Sequence, residues 1–155
     1  MRPLNIGTEK AFQKIKHYCA YQERSHHEVK EKLYSFGLYK QEVETLLSQV
    51  IEEGYLNEER YANAFAGGKF RMKQWGKVKI KYELKQKGVS EYNIRKALAG
   101  ISHDDYMETL AKLFAAKLKT LRGEKNIFIK KRKLQNYLMQ KGFEPSVISQ
   151  LLKDL

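Results

Sequence analysis

One pattern is written three times in this chain, and it constrains the fold more than any other feature. Residues 29–47 (VKEKLYSFGLYKQEVETLL), 80–98 (IKYELKQKGVSEYNIRKAL) and 134–152 (LQNYLMQKGFEPSVISQLL) align without a gap. Val29, Ile80 and Leu134 correspond, as do Leu33, Leu84 and Leu138, and then Gly37, Gly88 and Gly142. Val43, Ile94 and Ile148 follow, and Leu47, Leu98 and Leu152 close the set. The offsets of 51 and 54 residues fall where repeat architectures are found, each unit burying its apolar face against a neighbour. Apolar residues recur at helical spacing on both sides of a glycine suited to the left-handed turn that ends helices. Each copy therefore reads as helix, glycine, helix.

A further helix precedes each pair. The first opens at TEKAF, with Thr8 as N-cap and Phe12, Ile15 and Cys19 along one face. The S-x-x-E form of Ser25 to Glu28 is a capping box that starts the next helix, running to Phe36, and a third occupies about Lys40 to Glu53. In the second group Asn57 caps a helix carrying Tyr61, Ala62 and Phe65, which Gly67 and Gly68 weaken by about 1 kcal/mol each. Gly76 and Ser90 introduce its partners. The third group starts at Ser102, has an apolar face through Tyr106, Leu110, Leu113, Phe114 and Leu118, breaks at Gly123, and opens its last helix at Pro145. WGKVKIKYEL alternates briefly, but its alignment with two helical segments outweighs that signal. The expected fold is all-α: three tandem three-helix repeats at residues 1–54, 55–101 and 102–155, stacked into an elongated, curved array. Units of about 50 residues are near the lower limit for an independent core, so stacking through shared apolar faces is expected.

Charge is distributed unevenly over these units. The chain has 30 Lys and Arg against 18 Asp and Glu. Residues 1–60 hold 9 basic and 10 acidic side chains, net −1, so residues 61–155 hold 21 and 8, net +13. Two runs carry the excess. Between Lys69 and Lys87 the basic residues include Arg71, Lys77, Lys79, Lys81 and Lys85, against the single acid Glu83. Lys77, Lys81 and Lys85 are four apart and lie on one helix face. Between Lys112 and Lys133 they include Lys130, Lys131, Arg132 and Lys133, with Glu124 the one acid. A single charged face is the ordinary solvated side of a helix. Two such runs in adjacent units point to a surface facing a polyanion or an acidic protein. Phe70, Trp75 and Tyr82 among the first run offer rings for base stacking, although core packing is the commoner use of such aromatics.

Other classes find no support. One cysteine, Cys19, forms no internal disulfide and sits at an apolar helical position. His17, His26, His27 and His103 lack metal-ligand spacing, and Asp104 with Asp105 falls at a helix start, where acids cap. No phosphate-cradling loop, nucleophile elbow or triad is present, so neither catalysis nor a cofactor is expected. A signal peptide and a membrane span are likewise missing, which makes the expected location cytoplasmic. A helix-turn-helix that reads bases is disfavoured. Its second helix, SEYNIRKALAG, offers only Arg95 and Lys96, while the charge crowds the helix before Gly88.

The segments RSHHEVKEKLYSFG, GYLNEERYA with the basic stretch through KGV, and KKRKLQNYLMQKGFEPSVISQLL together resemble the bacterial RecX regulatory proteins over nearly the whole chain. The sequence departs from that pattern at Asn57, where Asp is common; both residues cap helices. The resemblance implies a non-enzymatic, monomeric modulator of the RecA recombinase filament, which lowers its growth, ATP hydrolysis and strand exchange during recombination, repair and the SOS response. Arg71, Lys77, Lys79, Lys81, Lys85, Lys130, Lys131, Arg132 and Lys133 are then the candidate contacts to RecA or to single- or double-stranded DNA.

Overall fold

The three repeated glycines set the geometry of their units. Gly37, Gly88 and Gly142 have φ of 82°, 78° and 98°, a region open to glycine at little cost and strained for most other residues. At each, the glycine N–H donates to a carbonyl three residues back: Tyr34 at 2.9 Å, Lys85 at 3.0 Å and Met139 at 3.0 Å. Val89 and Phe143, next in the chain, donate to Leu84 and Leu138, closing the left-handed elbow that ends the helix. The computed structural model describes all residues, Met1–Leu155, as nine helices with no strand. The first unit holds α1 (Thr8–Tyr21), α2 (His26–Ser35) and α3 (Lys40–Glu52). The second holds α4 (Glu58–Lys73), α5 (Lys77–Gln86) and α6 (Glu91–Ala99). The third holds α7 (His103–Thr120), α8 (Ile127–Gln140) and α9 (Pro145–Lys153).

Local chemistry explains most boundaries. Ser25 and Glu28 complete their capping box, and the side chains of Asn57, Ser90, Ser102 and Asn126 accept the N–H groups of the first turns that follow them. Each such cap stabilises its helix by about 1 kcal/mol. Pro145 stands in the first turn of α9, where its missing N–H costs nothing. Thr8 is not a cap; it lies inside α1, behind Gly7 at φ 88°. Tertiary docking overrides the local signal here. The Ile6 N–H donates to Phe36 O at 3.1 Å and Arg2 Nη2 to Gly37 O at 2.8 Å, which fixes the approach to α1. Gly67 and Gly68 do not interrupt α4; a Cβ on Gly67 would crowd the Arg71 guanidinium.

The apolar faces do not pool into one core. Ala11, Ile15, Cys19, Val29, Leu33, Val43 and Val50 close on one another inside the first unit, with Leu38 and Leu56. Tyr61, Phe70, Ile80, Leu84 and Ile94 of the second unit instead merge with Tyr106, Leu110, Leu138, Phe143 and Ile148 of the third. Sharing of apolar faces thus holds at one joint and fails at the other. The α7 face that the sequence extends to Leu118 is fully buried only at Tyr106 and Leu110; Leu113 and Phe114 pack half-buried against the edge of the shared core, and Leu118 is half-buried beyond it.

The joint between the second and third units is made by backbone as well as rings. Tyr106 packs 5.8 Å from Phe70 and 5.1 Å from Phe143, centroid to centroid. Its hydroxyl accepts the Lys77 N–H at 2.9 Å and donates to the Glu144 carboxylate. Burial, and then that carboxylate, push the Tyr106 pKa well above its ordinary value. Beside it the N–H groups of Gly76 and Val78 donate to the carbonyls of Lys141 and Gly142 at 2.8 and 2.9 Å. Only glycine fits at 76, because a Cβ there would overlap the Gly142 carbonyl.

The other joint is built by GYLNEERYA, residues 54–62. Gly54 ends α3 at φ 81°, Leu56 fills the first core, and Asn57 caps α4. Within the second unit Glu58 accepts from Asn93 at 2.7 Å and Glu59 pairs with Lys96 at 3.0 Å; across the joint Arg60 reaches Glu23 at 2.9 Å and the Gly54 carbonyl at 2.9 Å. Tyr61 meets Glu28, and burial raises its pKa. The joint is polar where its counterpart is apolar.

Candidate interaction surface

The nine candidate cations divide by environment. Lys81 and Lys85 are exposed on α5, as Arg132 and Lys133 are on α8, while Lys130 and Lys131 are half-buried. Lys85 lies 3.6 Å from Glu91 and Lys133 3.8 Å from Glu124; both pairs are solvent-exposed enough to be weak. Arg71 is exposed on α4, in a groove of about 430 Å³ that also includes Asp105, Glu59 and Lys96, so its surroundings are of mixed sign.

Lys77 and Lys79 belong to the joint. Both are half-buried at the start of α5, with Lys77 Nζ 5.0 Å above the Tyr106 ring and Lys79 Nζ 4.5 Å above Trp75. The Lys79 Cβ lies over Gly142. The four-residue stripe seen in the sequence is therefore solvent-exposed only at Lys81 and Lys85. Cations of this kind over a ring contribute about 0.5–1 kcal/mol at partly exposed sites. Charge spacing carried no sign of this, since Tyr106 and Gly142, which cover Lys77 and Lys79, lie more than 25 residues away along the chain.

The joint brings the two basic runs toward each other. Lys141, absent from the candidate set, donates from Nζ to the Lys73 carbonyl at 3.4 Å, and its own carbonyl accepts from Gly76. From there α8 leads back to Lys131, ten residues and roughly 15 Å away along its axis. Of the aromatic candidates, Phe70 is buried in the shared core and Trp75 lies between Lys69, at 5.1 Å, and Lys79. Tyr82, 60% exposed, is the one left able to stack on a base. Sequence reasoning also passed over Phe128, which is 80% exposed in the first turn of α8 beside Lys125 and Lys131.

Cys19 is buried against the first core, and its thiol pKa is pushed up to about 11 by that burial. It is a packing residue. No helix is long and apolar enough to cross a membrane.

Family comparison agrees with this architecture. Residues 57–98 match the family model described as RecX, second three-helix domain, and residues 104–152 match that of the third three-helix domain. The chain belongs to the RecX family. Among its relatives, the Regulatory protein RecX of Halalkalibacterium halodurans is 32% identical over 95% of this chain and 55% of its own length. That of Bacillus cytotoxicus is 28% identical over 97% and 56%, and that of Prosthecochloris aestuarii 29% over 96% and 95%. The chain thus spans just over half the length of the first two and nearly all of the third. A solved structure, Crystal structure of regulatory protein RecX, superposes with a TM-score of 0.85 at 25% identity, covering 96% of this chain and 72% of its own. RecX from Lactobacillus salivarius shares the fold, with a TM-score of 0.84 at 23% identity and 96% coverage of both chains.

Proposed function

We propose that this RecX-family chain binds the RecA recombinase filament on DNA and restrains its assembly, ATP hydrolysis and strand exchange, acting without catalysis of its own in the cytoplasm. The observation that carries this is family membership: the relatives are named regulatory proteins, and the residues that match the family models are those bearing the one-sided charge. The physical logic is multivalent. Units joined by a shared core hold Lys81, Lys85 and the Lys130 to Lys133 run in fixed relation, so several weak contacts with neighbouring protomers act at high effective concentration. Each of the three units 1–54, 55–101 and 102–155 presents a surface of its own to such a repeating partner.

A second reading comes from the net +13 of residues 61–155: the chain competes for single-stranded DNA directly. Neutralising about five phosphates on a single strand gives a log-log salt slope near −3.5. The deciding experiment titrates the chain into RecA hydrolysing ATP on single-stranded DNA, beside a DNA-binding curve at the same salt. Inhibition before the DNA is occupied supports filament binding. Inhibition that follows DNA occupancy supports competition.

A further inference from the structure

The three glycine elbows are alike in chemistry and differ in what covers them. On the first, the carbonyls of Phe36 and Gly37 accept from the Ile6 N–H and Arg2 Nη2. On the third, the carbonyls of Lys141 and Gly142 accept from Gly76 and Val78. The corresponding carbonyls of the second elbow, Lys87 and Gly88, accept no hydrogen bond from the chain. A Cβ on Gly37 or Gly142 would strike the docked segment, whereas one on Gly88 would meet nothing within 4 Å. In two units of three, then, chain lies on the elbow: the extended segment before α1 on the first, and the N-terminal turn of α5 on the third. The middle one is bare.

The sequence explains why the chain does not cover it. At the repeat offset of 51 residues, Ser25 stands where Gly76 stands in the next unit. Gly76 seats against an elbow because it has no Cβ; Ser25 has one, and its N–H is held by the Glu28 carboxylate in the capping box at 3.3 Å. The loop before α2 stands off across a gap of about 420 Å³ bounded by Glu23, Glu28, Phe65 and Lys87.

Two main-chain carbonyls seek N–H donors and repel phosphate, so what fits is polypeptide rather than nucleic acid. In the same gap Glu23 and Glu28 are taken by Arg60 and Arg24, whereas Lys69 and Lys87 have no ion-pair partner, which favours an acidic side chain on the incoming segment. We infer that the second elbow is a docking socket for an extended, acid-bearing segment of a filament protomer, which donates main-chain N–H groups to the carbonyls of Lys87 and Gly88. The identity of the partner rests on the function proposed above; the vacancy does not.

Gly88→Asn and Gly54→Asn make the test. Both glycines have φ near +80° in open surroundings, and asparagine tolerates that region, so the two variants carry similar strain. Only the first puts a side chain on the elbow. With helicity checked by circular dichroism, association with RecA filaments preformed on single-stranded DNA is followed by fluorescence anisotropy. Gly54→Asn is expected to bind as the wild type does, and Gly88→Asn about tenfold more weakly. Should Gly88→Asn lose helicity, Lys87→Glu addresses the same elbow and is expected to weaken binding as well. Variant affinities equal to a wild type that binds overturn the socket. A wild type that does not bind overturns the proposed function and the partner named here together. Self-association in sedimentation equilibrium that Gly88→Asn abolishes, with filament binding unchanged, assigns the elbow to a second copy and overturns the assignment to a filament protomer.

Discussion

The first unit and the pair formed by the second and third contain the same helices and the same elbow, yet one closes its core alone and the other two share theirs. The joints show why. Tyr61 and Tyr106 each lie four residues after a helix cap, Asn57 and Ser102, and each reaches back toward the second helix of the preceding unit. Tyr106 finds Phe70, Phe143, a backbone N–H and Glu144; Tyr61 finds Glu28. The largest difference is one atom on the backbone. Gly76 lets two main chains touch and Ser25 keeps them apart. Similar helices stacked by a similar plan thus yield one fused joint and one polar one.

The contrast can be broken most forcefully in the shared core. Phe143→Ala is expected to cost about 3–5 kcal/mol and to destabilise the second and third units together, because Phe143 packs with both. Amide exchange should show opening from α4 to α9 while the first unit keeps its protection; loss confined to the third unit would separate the cores. Gly76→Ala is expected to cost about 1–3 kcal/mol by overpacking the backbone contact, read as a fall in the urea midpoint. Tyr106→Phe removes a hydroxyl that serves two partners and should cost about 1–2 kcal/mol at the same joint. Arg60→Ala, at the polar joint, removes a half-exposed pair with Glu23 and should cost less than about 1 kcal/mol.

Titration sharpens the same comparison on a finer scale. Cys19 belongs to the first core alone, and its folded pKa of about 11 lies above its ordinary value of 9.0. An unfolded first unit therefore releases the thiol proton at lower pH than the folded one does. Its contribution to stability is complete below about pH 9 and is lost as pH rises toward 11. Thiol labelling should accelerate through opening of the first unit from about pH 9, ahead of α4 to α9, where Tyr61 and Tyr106 are raised from 10.0 by burial and weaken their core only above that value.

The helices were legible in the sequence because periodicity, caps and elbows are local. Val43, Ile94 and Ile148 were placed on core faces by spacing alone, and all three are buried. Thr8 misled because the approach to α1 is set by contacts with Gly37, thirty residues on. Lys77 and Lys79 were read as candidate contacts to RecA or DNA within a basic run; a charge pattern cannot show that a turn more than sixty residues later covers the start of α5. The bare elbow was hidden for the same reason. Three identical signals in sequence differ only in what the rest of the chain brings to them.

The shared core also sets an order in time. As the chain leaves the ribosome, the first unit has all its packing partners once Leu56 has emerged. The second unit has no such moment of its own. Its Phe70, Ile80 and Ile94 wait for Phe143 and Ile148, whose arrival takes a further 49 residues after Ala99. At synthesis rates of about 5–20 residues per second, that leaves roughly 2–10 seconds in which an apolar surface is made and uncovered. A chaperone that holds nascent chains would find its substrate there, in the second unit.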